Sequence, residues 1–325
     1  MIRRCVWVSV WATLTCTAPE LASSEEPVGT LLGLSPGARA IAMGTAQGVV
    51  AEDADAGYWN PAALAFIEPE HAASVTYSRF EGFDDYPFLF GAYSQRIERL
   101  RGAVAVSFAY FDYGTQTSFP PPGESYVPYE LASGVAYGGR VTDALAVGVG
   151  VKVYRLDYSH TQQSFDDNTI LFDAGVVWRG MDSRLLIGSS VQNLGPDLEL
   201  GDEGESYPAA RNLKLATGAR LVDLETAQLL VACDLNIPLA GEDNSPRLMA
   251  GGEVRVGKYA AMRIGLRYFG WMFADDDLPS NVQTYDTSIG FGVRVSRFAF
   301  DYGNAAWPVL LMRHSSHHFT VGARF

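Results

Sequence analysis

Three kinds of stretch in this chain carry residue types that could do chemistry. "HSSHH", His314 to His318, offers imidazoles at metal-ligand density. On a strand, however, His317 and His318 point to opposite faces and cannot easily share an ion. "DADAG", Asp53 to Gly57, has part of a calcium-loop spacing but lacks the remaining ligands. Glycine pairs such as Gly148/Gly150 and Gly290/Gly292 lie inside alternating segments and open no helix, which rejects a dinucleotide loop. Neither a Gly-x-Ser-x-Gly elbow nor a P-loop is present. The sequence therefore reads as no enzyme, with no metal and no cofactor.

Charged residues isolated in otherwise small-residue faces are the better candidates. They are Lys152, Asp173, Lys214, Asp234, Glu253, Arg255, Arg263, Arg267, Arg294 and Arg324. Two readings stay open for them. They pair with one another across an enclosed interior, or Arg263, Arg267 and Arg294, with Lys152 and Glu253 beside them, meet a substrate carboxylate through charge-assisted hydrogen bonds. Acidic clusters such as Asp166-Asp167 and Asp275-Asp276-Asp277 read as a solvated outer face. Bridging divalent ions between lipid phosphates is the other reading. Charged residues make up only 19% of the chain and the formal net charge is −13, so no basic face exists for nucleic acid.

The elements that must position these charges are strands. In "GAVAVSFAYF", Val104, Val106, Phe108 and Tyr110 share one face, and Ala103, Ala105, Ser107 and Ala109 the other. The same split recurs around residues 145–155, 170–179, 213–221, 262–268 and 289–295. About fourteen such segments of about ten residues match the length of tilted membrane strands. One face is continuous Val, Leu, Ile and Phe, which suits lipid. Its opposite is Gly, Ala and Ser with scattered ions, which suits a crowded lumen. Short connections near 97–100, 140–144, 180–184, 222–226, 257–259 and 296–297 alternate with long ones near 81–86, 112–128, 157–169, 192–211, 236–246, 269–284 and 304–316. That is the pattern of short periplasmic turns and longer outer loops. Tyr137, Trp178, Phe298 and Phe325 fall near one rim, and Tyr110, Tyr268, Tyr285 and Tyr302 near the other, as two aromatic girdles. The expected fold is an all-β membrane protein, an antiparallel outer-membrane barrel of about fourteen strands with a short helical N-terminal plug.

Residues 1–24 form a separate object. Arg3 and Arg4 precede the apolar run "CVWVSVWATL", and small residues lead to Ser24, as in a cleavable secretory signal of a Gram-negative-type cell. Residues 25–70 read as the plug, or hatch, with two short helices, and residues 71–325 as the barrel. In "LSPGARAIAMG" Ser35 is the expected N-cap with Pro36 at the first helical position. In "WNPAALAF" Asn60 caps and Pro61 follows, which also holds Asn60 out of the helical region. So small a segment cannot bury a core alone. A barrel this wide cannot be filled by its own side chains, so the segment belongs inside it.

"GARAIAMGTAQGVVAEDADAGYWNPAALA" resembles the N-terminal motif of the PorV/PorQ outer-membrane family, itself similar to the FadL long-chain fatty-acid transporters. Arg39, Met43, Gly44, Asp53, Trp59, Asn60, Pro61 and Ala62 carry the hatch motif. Glu52-Asp53-Ala54-Asp55 departs from the family's usual pattern and puts Asp55 in doubt as an equivalent. The terminal "HHFTVGARF" is similar to the assembly signal of bacterial barrels, with Phe325 as its aromatic end and the barrel assembly machinery as implied partner.

The resemblance implies an outer-membrane channel that passes small hydrophobic molecules. The alternative is a PorV-like component of a type IX-like secretion system that receives exported cargo at its outer loops. Outer-membrane lipids, a hydrophobic ligand or secretion proteins are the corresponding partners. Trp271 and Phe273 in "FGWMF", and Trp307, Leu310 and Leu311 in "WPVLLM", are the candidate capture surface.

Overall fold

Period-two alternation leaves such segments only one way to satisfy their backbone in lipid, by pairing edge to edge until the sheet closes. The computed structural model describes residues 28–81, 86–118, 123–159, 165–201, 204–241, 246–268, 285–309 and 312–325. In chain order its strands are β1 (His71–Phe80), β2 (Pro87–Ile97), β3 (Gly102–Asp112), β4 (Gln116–Thr117), β5 (Ser125–Tyr126) and β6 (Tyr129–Arg140). Next come β7 (Leu145–Asp157), β8 (Asp166–Gly180), β9 (Leu185–Leu194), β10 (Leu198–Leu200), β11 (Glu205–Tyr207) and β12 (Asn212–Asp223). The last are β13 (Ala227–Pro238), β14 (Arg247–Val256), β15 (Ala260–Tyr268), β16 (Tyr285–Val295), β17 (Phe298–Val309) and β18 (Met312–Arg324). Fourteen of them form a closed antiparallel barrel, and β4–β5 and β10–β11 are small hairpins on the long-loop side. β1 closes on β18 from Ala72↔Arg324 to Phe80↔Ser316, so the wall has no free edge.

The two faces of the wall invert the arrangement of a water-soluble protein. Met262 and Ile264 are 73% and 68% exposed on the outside, while Arg263 between them is 6% exposed and points into the lumen. A belt of outward Val, Leu, Ile and Phe surrounds the barrel, with Trp178 and Phe298 at the short-turn end and Tyr268 and Tyr285 at the other. A contiguous apolar exterior of this extent needs hydrocarbon around it. No helix among the described residues is long and apolar enough to cross a membrane.

Residues 28–67 lie inside the barrel. They form α1 (Thr30–Gly33), α2 (Ala38–Ala42), α3 (Ala56–Trp59) and a 3-10 turn over Pro61–Phe66, more pieces than the two helices expected. Met43, Val49, Val50, Trp59 and Leu64 of this plug pack on inward Ala103, Ala105, Val177, Leu186 and Leu230. The Asn60 expectation agrees with the structure: its extended backbone precedes the turn and its Oδ1 accepts from Ala62 N at 3.0 Å. The Ser35 cap is corrected. α2 starts after Gly37, at φ +95°, and no side chain of the plug caps it. Instead Thr320 Oγ1 of the wall accepts from Ala38 N at 2.8 Å, so tertiary contact supplies what local sequence does not.

The last outer connection also differs from expectation. Residues 304–316 were read as a long loop, but β17 and β18 pair as far as Val309↔Met312. Among the described residues β17 pairs with β16 only up to Ala305, so Pro308 sits on an unpaired edge where its missing N–H costs nothing.

Candidate functional site

Three sets of contacts seat the plug, and each arises from a feature of the wall sequence. The first is a glycine floor. On alternate inward positions Gly138, Gly148 and Gly175 remove the side chains that would hold the plug away. A β-carbon on Gly175 would overlap Asn60 Oδ1, and one on Gly148 would overlap the Pro61–Ala62 peptide. Asn60 is fully buried and its Nδ2 donates to Gly48 O at 3.0 Å. On the far wall Gly44 of the plug, at φ +60°, lies against β15. A β-carbon there would come within 2.6 Å of Leu266 N.

The second set is ionic and faces the short-turn end. Arg39 makes a two-point bond to Glu253, with Nε and Nη2 at 3.0 and 3.2 Å from its oxygens. Its Nη1 donates to Gln47 Oε1 and Val50 O. Glu253 also meets Arg255 at 2.8 Å and Arg263 at 2.6 Å, and Arg263 reaches Asp301. Glu52 is held by Arg255 at 2.8 Å and Arg220 at 3.2 Å. Burial pushes the Glu52 carboxyl up, but Arg255, Arg39 and Arg220 more than offset this and hold it well below the usual range. Arg324 pairs with Asp53 at 2.5 Å. Asp234 Oδ2 accepts from the backbone N–H groups of Gln47 and Gly48 at 2.9 and 2.8 Å.

The third set is at the long-loop end. Glu130 is wholly buried and accepts from the backbone N–H groups of Thr30 and Leu31 and from the hydroxyls of Tyr154 and Tyr158. Tyr113 donates to the same carboxylate. Above it Leu31 and Leu32 fill an apolar compartment with Phe88, Phe90, Phe111, Leu156 and Leu171. Leu198 and Leu200 of the β10–β11 hairpin fold inward onto it, and Val28 bridges Ala209 beside them.

The residues singled out from sequence are distributed as follows. Arg39, Met43, Gly44, Asp53, Trp59, Asn60, Pro61 and Ala62 all belong to the plug, and Lys214 Nζ stands 4.7 Å above the Trp59 ring. Lys152 pairs with Asp173 at 2.9 Å, and Asp173 accepts from Asn193 N where β9 carries one residue more than β8 and Asn193 takes φ +61°. Arg263 and Arg267 are already matched, by Glu253 and Asp286. Arg294 forms no ion pair among the described residues and lines a cavity of about 450 Å³ beneath the plug. Trp271, Phe273, Leu310 and Leu311 lie outside the described residues, as does the side chain of Trp307, whose backbone is in β17. Phe325 stacks on His71 and joins it by backbone hydrogen bonds that finish the β1–β18 seam. His318 turns inward to Ser78 Oγ, while His317 turns outward to Tyr302 and Glu81.

Sequence reasoning missed Glu130, Glu52 and the inward hairpin. Glu130 carried a signal: it is the one carboxylate on the inward phase Glu130, Ala132, Gly134, Ala136 and Gly138.

A closed fourteen-stranded barrel with a greasy exterior, stoppered from within by its own N-terminal residues, defines a plugged outer-membrane β-barrel. The family model described as Type IX secretion system protein PorV matches residues 26–240, and the chain belongs to that family. Its fold is shared by a Pseudomonas aeruginosa FadL homologue, at TM-score 0.61 and 14% identity over 89% of this chain and 98% of the other. The Ralstonia pickettii toluene transporter TbuX aligns at TM-score 0.60 and 13% identity, over 92% and 100%. The Pseudomonas putida toluene transporter TodX aligns at 0.59 and 11%, over 89% and 98%. No curated protein matches the sequence.

Proposed function

We propose that the protein is a gated outer-membrane channel for small hydrophobic molecules, with the plug as its gate. The observation that carries this reading is the compartment holding Leu31 and Leu32. Phe88, Phe90 and Phe111 face inward at the long-loop end and form a second apolar compartment, apart from the one that packs Met43, Trp59 and Leu64. Withdrawing a buried leucine from such a site costs about 1.5–3 kcal/mol. A hydrophobic ligand taking the same space offsets that cost. The plug is held by hydrogen bonds, ion pairs and packing, and the chain joins it to the wall only through residues 68–70 ahead of β1, so it can shift without breaking the barrel.

In this reading residues 1–24 direct export and are removed. Outer-membrane lipids surround the wall, and the barrel assembly machinery engages the strand ending at Phe325. The apolar residues Trp271, Phe273, Leu310 and Leu311, with Trp307 near the end of β17, gather ligand, and the protein performs no catalytic step. Uptake of a labelled aromatic hydrocarbon and a labelled fatty acid, in cells with and without the protein, tests the proposal. Equal uptake in both ends it.

Membership of the PorV family supports a second reading, in which the outer loops receive exported proteins. Purification from native outer membranes separates the two. Large secretion proteins recovered in fixed proportion, with no uptake of hydrophobic molecules, favour the second.

A further inference from the structure

The cavity beneath the plug has a feature the channel reading does not use. Glu52 and Asp53 are consecutive at the base of the plug, and wall arginines hold both: Arg220 and Arg255 on Glu52, Arg324 on Asp53. Two further guanidinium groups line the same cavity, Arg179 from β8 and Arg294 from β16. Neither forms an ion pair among the described residues, and the Nε of each is buried without a hydrogen-bond partner. Arg179 lies 4.1 Å over the Phe66 ring, and its charged neighbours are Arg220 and Arg140, with Glu52 and Glu68 opposite in sign. Those of Arg294 are Arg324 and Arg255, with Asp53 and Glu52 opposite in sign. Each spare arginine therefore stands beside a like-charged arginine already committed to a plug acid.

Such pairs repel, and the repulsion grows as water is excluded. A guanidinium fork matches phosphate and carboxylate oxygens in pairs, and it cannot escape by losing its proton. The cavity, at about 450 Å³, is of the size that holds small molecules. Five strands separate β8 from β16 on one side of the ring and seven on the other, so the two arginines face each other across the lumen. One ligand meets both only if it is extended and carries more than one charge. The lining faces the lumen, which puts the wall between it and the headgroups of surrounding lipid.

We infer that the short-turn cavity binds a small, soluble, multivalent oxyanion, a polyphosphate or polycarboxylate, held between Arg179 and Arg294. The anion also competes with Glu52 and Asp53 for Arg220 and Arg324. Its binding loosens the lower attachment of the plug. The site stands independently of what the channel carries.

Titration calorimetry of the full barrel in neutral detergent tests the site, with tripolyphosphate and citrate as probes and acetate as the monovalent control. Tripolyphosphate or citrate binds one per chain, at least tenfold more tightly than acetate. Arg179→Gln and Arg294→Gln each weaken binding about ten- to a hundredfold, the worth of one charge-assisted hydrogen bond. Arg297→Gln, in an exposed turn outside the cavity, leaves it unchanged. Affinity is the same in nanodiscs of neutral and of anionic lipid. Equal binding by wild type and the Arg179→Gln/Arg294→Gln double variant overturns the inference. Should the glutamine variants fail to fold, the wild type alone decides: no preference for either polyanion over acetate overturns it.

Discussion

Asn60 of the plug rests directly on Gly175 of the wall, with its Oδ1 in the space a β-carbon would take. The helix cap and the barrel contact are thus one feature. Gly175→Ala forces the two apart, at the cost of about 1–3 kcal/mol expected for overpacking. Thermal unfolding in detergent should show the loss. Gly91→Ala, where the nearest atom to a new β-carbon is 4.0 Å away, should show little change.

Glu253 and Arg39 are unequal partners. Arg39→Met leaves Glu253 with Arg255 and Arg263, whereas Glu253→Gln strips the carboxylate from three arginines at once. Breaking a buried pair from one side costs about 3–5 kcal/mol. Glu253→Gln should reach that range and Arg39→Met fall below it. Denaturant titration of plug release, followed by protease cleavage within residues 28–67, ranks the two variants.

Plug docking should respond to pH through Asp55. Burial, then the charge of Asp53, pushes its carboxyl from 3.8 up to about 6. A raised carboxyl favours the docked plug when protonated, so that contribution is full below about pH 4 and is lost as pH rises through 6. Glu52 acts oppositely: its depressed carboxyl stabilises above the ordinary range and loses that support as acid is added. Asp55→Asn should remove its share of the change between pH 4 and 6 and leave the Glu52 loss at lower pH. Protease protection of the plug measured across pH 3–8 checks both limbs.

Glu130 should control the outer end of the plug. It takes two backbone donors from α1 and three tyrosine hydroxyls, so Glu130→Ala leaves five donors without their acceptor. Each buried donor so stranded costs about 1–3 kcal/mol. The expected result is release of residues 28–34 with the barrel intact, seen as faster amide exchange there and unchanged exchange in β6–β8. On the channel reading, hydrophobic uptake rises in the same variant.

The wall was legible because lipid on one side and a crowded lumen on the other impose strict alternation, one residue at a time. Val104/Ala105 or Met262/Arg263 tell the reader which way each strand faces. Asn60-Pro61 was legible because its cap is local. Ser35-Pro36 misled because the start of α2 is fixed by Thr320, 282 positions away in sequence. The loop expected over 304–316 misled because β17 and β18 go on pairing with each other to Val309↔Met312, beyond the last residue of β17 paired with β16. The glycine floor and the Arg39–Glu253 network depend on which inward positions oppose one another across the lumen, and a strand's own period carries no such information.

The central claim is that the plug must move for hydrophobic molecules to pass. A β-carbon on Gly57 lies 3.2 Å from that of Ala105, near the spacing of about 3.5–4.5 Å found in disulfides. Gly57→Cys/Ala105→Cys, with Cys233→Ser, therefore tethers plug to wall reversibly. The account predicts that uptake of labelled hydrocarbon stops in the oxidised variant and returns on reduction. Undiminished uptake through the oxidised, fully cross-linked barrel contradicts it.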